Sequence, residues 1–281
     1  MKTLLVLTDF SSSAFNAAKY VAELSKDLQT DRILIYHSSY FDNPEMILVT
    51  EIAVMAPGVN TETEQEITRK LGSLKQELQA FTEEKTVVET ITNELPLLDG
   101  IREIIKRENV DMVAAGMYGA GDKGNNSVGK HTLNLMKNRD FPFLIIPASA
   151  NYEGIKISVL ACDLRRTLDT LPADEIKAFV KQLGSKLLIV NIEHGEALGA
   201  AGYLTEETAL HNLLDNVNPE FHYLTQENTI EGILDFARNQ QANLIIAVPK
   251  QRGFLENLFH ESSTKKLAIN TLVPLLLFHQ K

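Results

Sequence analysis

The sequence predicts an α/β protein made of two tandem domains, each a five-stranded parallel sheet sandwiched by helices. Three observations carry that expectation. Short apolar runs alternate with helically spaced apolar positions, as strands and helices do in βαβ units. The pattern recurs at a set distance along the chain. The 281 residues, 44% hydrophobic and 23% charged, are enough for two ordinary cores.

Leu4–Leu7 reads as a buried strand, and Ser11, Ser12 and Ser13 supply a cap for the helix that follows. Ala14, Ala17, Ala18, Val21, Leu24 and Leu28 form its narrow apolar stripe. Ile33–Tyr36 is the second strand. Thr61 to Glu83 reads as a helix, with Ile67, Leu71, Leu74, Leu78 and Phe81 along one face. "TVVETIT" at 86–92 alternates as a strand, Ile101, Ile104 and Ile105 mark a short helix, and "VDMVAAG" at 110–116 and "FPFLIIP" at 141–147 close the first set.

The second set repeats the first. "TLLVLTDF" (3–10) matches "ISVLACDL" (157–164), and "ILIYH" (33–37) matches "LLIVN" (187–191), both at an offset of 154. "GIREIIKRENVDMVAAG" (100–116) matches "GILDFARNQQANLIIAV" (232–248), and "FPFLIIP" matches "VPLLLFH" (273–279), both at 132. Gly100 meets Gly232, Asp111 meets Asn243 and Pro142 meets Pro274. The N-terminal half therefore carries 22 extra residues, placed within the apolar stretch 40–60, which either packs on its own sheet or covers a ligand or partner. The boundary falls in the linker-like "PASANYEG" (147–154), giving domains 1–150 and 151–281.

Composition narrows the function. With 27 basic and 37 acidic residues the formal charge is −10, which disfavours nucleic acid and anionic membranes as partners. The first apolar run stops at Thr8–Asp9, too short for a signal-peptide core, and no run reaches membrane-spanning length. A cytoplasmic protein is expected. A lone cysteine, Cys162, rules out an intrachain disulfide framework and a multi-cysteine zinc site, and reads as a packed thiol.

In parallel sheets ligands sit beyond the carboxyl ends of the strands. That rule selects Thr8–Asp9, His37–Ser38 and the loop after Gly116. The loop, "GMYGAGDKGNNSVGKHT" (116–132), holds five glycines in fourteen residues and then a cation, Lys130, where a helix begins. Side-chain-free backbone approaches a phosphate closely, and its amides with a helix N-terminus supply donors and partial positive charge. A P-loop pattern at 124–131 fails at its last position, where His131 replaces the magnesium-holding hydroxyl, and starts eight residues too late after its strand. The loop could also be a plain connector, and Asp9 and Asp163 could simply cap the helices that follow them.

Gly116, Gly119 and Gly129 fit another pattern, Gly-x2-Gly-x9-Gly, with Lys130 where Ser or Thr is usual. Together with "LLVLTDFS", "ILIYHS" and "FPFLIIP", the N-terminal half resembles the universal stress protein family, and the C-terminal half does so more faintly. The resemblance implies a Rossmann-like, adenine nucleotide alpha hydrolase-like fold and a stress-response protein that binds ATP. By position, Thr8 and Asp9 would meet the nucleoside and the Ser38 backbone the adenine. Gly116, Gly119, Gly129, Lys130 and His131 would surround the phosphates, accompanied by Mg or Mn. In the C-terminal half Val248, Gln251 and Glu261 replace the three glycines, so that half is expected to be structural or regulatory. The resemblance further implies that "FPFLIIP" and "VPLLLFH" pair edge to edge, making the chain an internal pseudo-dimer. Pairing of two chains is left open, as is any protein partner.

The sequence shows no nucleophile–base pair, no paired carboxylates in a motif and no metal cluster. The expectation is a regulatory ATP-binding module with at most slow hydrolysis. An ATP-using enzyme and a nucleotide-free interaction protein are the alternatives.

Overall fold

The computed structural model describes residues 1–41, 61–117, 132, 135–136, 140–162, 171–193, 200–226, 228–248 and 273–278. Its N-terminal half runs β1 (Thr3–Leu7), α1 (Ser12–Asp27), β2 (Arg32–Ser38), α2 (Thr61–Gln79), β3 (Val87–Asn93), α3 (Leu97–Glu108), β4 (Met112–Met117) and β5 (Phe143–Pro147). The C-terminal half runs β6 (Ile157–Ala161), α4 (Ala173–Leu183), β7 (Lys186–Glu193), α5 (Ala200–Leu214), β8 (Glu220–Thr225), α6 (Thr229–Asn239), β9 (Leu244–Ala247) and β10 (Leu275–Leu277).

All ten strands join one sheet in the order β3-β2-β1-β4-β5-β10-β9-β6-β7-β8. Within each half every pairing is parallel, and the halves meet where β10 runs antiparallel to β5, Leu276 opposite Leu144. The two expected five-stranded sheets are thus one ten-stranded sheet, and the edge pairing of the closing strands is present. Leu144 and Leu276 are related by the 132-residue offset. Equivalent residues face one another there, as an approximate two-fold relation requires.

Strand alternation sends side chains to opposite faces. Leu4 and Val6 pack under α1 and α2, while Leu5 and Leu7 pack under α3. The α1/α2 face is one core that continues across the seam through Leu144 and Leu276 to Ile176 and Phe179 of α4 and Leu210 of α5. On the opposite face, α3 with Leu135 and Met136 covers one cluster and α6 covers another.

The predicted helix starts and stops have local causes. Ser11 caps α1, its hydroxyl accepting from the Ala14 N–H at 3.2 Å. Helix α2 ends at Gln79 rather than Glu83, because the N–H groups of Ala80 and Phe81 turn back to the Glu77 and Leu78 carbonyls in a tightened last turn. Gly184 ends α4 in the left-handed region (φ 63°), and Asn109 does the same for α3 (φ 51°).

The sequence repeat reappears in the backbone. The Arg32 N–H donates to the Lys2 carbonyl, Lys186 to Lys156; Thr8 to Tyr36, Cys162 to Val190; Val113 to Pro142, Ile245 to Pro274. Asp111 Oδ2 accepts from the N–H groups of Lys2 and Thr3 at 2.6 and 2.9 Å, and Asn243 Oδ1 accepts from those of Lys156 and Ile157 at 2.9 and 3.0 Å. Each of these pairs is related by 154 or 132. Among the described residues no helix is long and apolar enough to cross a membrane.

Candidate functional site

In the N-terminal half the strand order reverses between β1 and β4, because the chain first steps outward to β2 and β3 and then returns to β4 and β5. The connections leaving β1 and β4 therefore diverge to opposite faces and open a crevice at the strand carboxyl ends. The last residues of β1, the first turn of α1 and the end of β4 line it.

Thr8 closes the β1 ladder, its N–H donating to the Tyr36 carbonyl at 2.9 Å. Beyond it the turn is held by its own side chains. Thr8 Oγ1 accepts from the Phe10 N–H at 3.0 Å, and Asp9 Oδ1 accepts from the Ser11 N–H at 2.9 Å. Phe10 sits between them at φ 60°, a region costly for a side chain with a Cβ. Its ring lies 4.6 Å from the His37 ring, and His37 Nδ1 is 2.9 Å from the Thr8 carbonyl oxygen. His37 is thereby a packed, locally bonded residue. Asp9 both braces the turn, as a local cap would, and lies exposed at the mouth.

Gly116, at the end of β4, has a structural job. A Cβ there would lie 2.6 Å from the Ser13 carbonyl oxygen, so its lack of a side chain lets β4 run against the first turn of α1. The Gly116 carbonyl also accepts from the Thr132 hydroxyl at 3.4 Å. This brings Thr8, Asp9, Gly116 and the N-terminus of α1 to one crevice. Ser38 ends β2 one strand further out, its hydroxyl donating to the Leu95 carbonyl at 2.7 Å. Gly119, Gly129, Lys130 and His131 lie outside the described residues, as does the apolar stretch from 42 to 60.

Sequence reasoning missed a polar knot beside Ser38. The hydroxyl of Tyr36, a fully buried residue, donates to Asn93 Oδ1 at 2.8 Å; the same oxygen accepts from the Leu95 N–H at 3.2 Å. The Ser39 hydroxyl donates to the Asn93 carbonyl at 2.9 Å. Burial raises the Tyr36 phenol above the usual tyrosine value, against the opposing pull of its Ser38 and Asn93 hydrogen bonds. Gly100 makes room for it, since a Cβ there would fall 1.9 Å from the phenol oxygen.

The C-terminal crevice is lined differently. Cys162 stands at the place of Thr8, Asn191 at that of His37 and Val248 at that of Gly116, with the Val248 side chain packed against the core. Asp163 lies outside the described residues. No group of three or more metal-ligating side chains occurs among the described residues.

The sequence profile of the universal stress protein family matches residues 1–147, the segment that builds the N-terminal crevice. The chain belongs to the universal stress protein family. Two solved structures resemble it over nearly their whole length. A universal stress protein from Archaeoglobus fulgidus DSM 4304 is 17% identical, with 99% of this chain and 96% of that one covered at a TM-score of 0.66. A functionally unknown protein from Pseudomonas aeruginosa PAO1 is 12% identical, with 100% and 93% covered at a TM-score of 0.62. At those identities the likeness is one of fold, and it spans both halves of this chain. No curated protein sequence matches it.

Proposed function

We propose that this universal stress protein binds one adenine nucleotide, ATP, in the N-terminal crevice as a regulatory ligand in a cytoplasmic stress response. The observation that carries the reading is the convergence of Thr8, Asp9, Gly116 and the start of α1 at the strand-order reversal. A helix N-terminus favours anionic groups, and an exposed carboxylate at the end of β1 suits the hydroxyls of a ribose. The resemblance assigns Lys130, His131, Gly119 and Gly129, which follow Gly116 in sequence, to the phosphates, whose oxygens Mg or Mn would neutralise. ATP would bring its own polar and charged groups. The chain's residues orient it and hold it away from water.

The C-terminal half, in this reading, is a structural or regulatory partner, because Val248, Gln251 and Glu261 stand where the N-terminal half has Gly116, Gly119 and Gly129. The family's tandem organisation, with domains 1–150 and 151–281, is proposed on the same ground.

Titration calorimetry of ATP onto the intact chain tests the proposal. The wild type should bind; Asp9→Ala and Lys130→Ala should each weaken binding by about tenfold or more, on the order of one or two charge-assisted hydrogen bonds. Binding unaffected by both substitutions would refute this site. Sustained phosphate release lost in Lys130→Ala would mark an enzyme instead.

A further inference from the structure

We propose that Asn93 is the positioning residue for the base-recognising rim of the crevice, and that Tyr36 and Gly100 serve it; the inference rests on the nucleotide-binding reading above. Asn93 ends the edge strand β3, opposite Ser38 in the register of β2. From there it gathers three segments. Its side-chain oxygen takes the Tyr36 hydroxyl from inside the sheet and the Leu95 N–H from the β3–α3 loop, and its carbonyl takes the Ser39 hydroxyl from the turn after β2. The Ser38 hydroxyl closes the ring of contacts on the Leu95 carbonyl.

These bonds tie down the turn at the carboxyl end of β2, where the resemblance assigns the adenine to the Ser38 backbone. A rim that must discriminate between bases needs its donors and acceptors held within a fraction of an ångström. Left to itself, a turn leaving the second strand of a sheet would not be that rigid. The knot has a cost that a plain fold would avoid. Tyr36 places a hydroxyl in a core where Val190 stands in the other half, and it points at Gly100, where a Cβ would fall 1.9 Å from the phenol oxygen. Ser38 and Ser39 correspond to Ile192 and Glu193, and Asn93, paired with Ser38, to Leu224, paired with Ile192, so the C-terminal half cannot assemble the same set. The knot is therefore not required by the architecture that both halves share. It is confined to the N-terminal half.

The experiment measures ATP and GTP affinity of the intact chain by calorimetry for wild type, Asn93→Ala, Asn93→Asp and Tyr36→Phe, with melting temperature recorded for each. Wild type should prefer ATP. Asn93→Ala should lower ATP affinity about fivefold to tenfold and bring the ATP-to-GTP ratio toward one, since two hydrogen bonds that order the rim are lost. Asn93→Asp keeps an acceptor oxygen for both donors and should restore the preference. Tyr36→Phe removes one hydroxyl without a change of shape, so it reads the same effect in a folded chain even where Asn93→Ala is unstable. An unchanged ATP-to-GTP ratio in both Asn93→Ala and Tyr36→Phe, or Asn93→Asp behaving as Asn93→Ala, overturns the role of Asn93 while leaving nucleotide binding intact. A wild type that binds nucleotide with no base preference does the same. A wild type that binds neither nucleotide removes both readings.

Discussion

Gly116 shows how one residue can carry two messages. A glycine at the end of a buried strand suggests close approach to a phosphate, and the structure finds its backbone pressed against Ser13 in the first turn of α1. The two uses agree, because that contact also holds the helix N-terminus beside the crevice. Gly116→Ala should lower stability by about 1–3 kcal/mol, the usual range for overpacking against backbone that cannot move aside. Urea unfolding measures it, and a change below half a kcal/mol would show that α1 yields at no cost. Asp111 offers the opposite case. Its counterpart Asn243 makes the same pair of bonds without a charge, so Asp111→Asn should stay within about 0.5 kcal/mol of wild type, whereas Asp111→Ala should lose about 1–2 kcal/mol with its two hydrogen bonds.

Elements whose boundaries depend on local chemistry were legible in the sequence, and contacts between distant residues were not. The Ser11 cap, the α2 stripe of Ile67, Leu71, Leu74 and Leu78, and the uninterrupted apolar strands β1, β4 and β5 follow from spacing alone. The offsets read from the sequence also relate several hydrogen bonds, such as Arg32 to Lys2 with Lys186 to Lys156. The Tyr36–Asn93 knot joins residues 57 apart, and no periodicity encodes a hydroxyl meeting an amide. Thr8 and Asp9 could be placed at the crevice because strand ends are visible in sequence; the strain at Phe10 could not, because most left-handed turns are filled by glycine or asparagine. Helix α4 supplies a simpler test. Gly184 has open space around its Cα and a left-handed φ, so Gly184→Ala should cost about 1 kcal/mol through backbone strain alone. Thermal unfolding with no loss would mean that the cap relaxes to another conformation.

At the scale of the whole molecule, the two halves are bound by more than the β5–β10 pairing. Gln182 of α4 donates to the Leu28 carbonyl at the end of α1, and these two positions are themselves related by the offset of 154. Asn16 of α1 holds the connecting segment by donating to the Pro147 and Ala150 carbonyls at 3.2 and 2.9 Å, and Tyr152 donates to Asp27 while its ring stands edge-on to Tyr20. With the α1/α2 core running through the seam, the halves should unfold in one transition. Phe179→Ala in α4 should then lower the melting of amides in β1 as well as in β6, by about 3–5 kcal/mol in each. Hydrogen exchange resolves this, and protection lost only in the C-terminal half would contradict it.

The same seam predicts a response to alkali. Burial raises the Tyr152 phenol first, and its bond to Asp27 raises it further. The folded chain therefore keeps a proton that the unfolded chain gives up near the ordinary tyrosine value of about 10. Stability from this source is whole below that pH and falls as the pH rises above it. Melting temperature between roughly pH 9 and 12 should decline less steeply in Tyr152→Phe than in wild type; parallel declines would remove Tyr152 from the account.

Native mass spectrometry of the intact chain with excess ATP and magnesium tests the asymmetry between the crevices most directly. One nucleotide per chain is expected, lost on Asp9→Ala. Two nucleotides per chain, or one that survives Asp9→Ala, would contradict it.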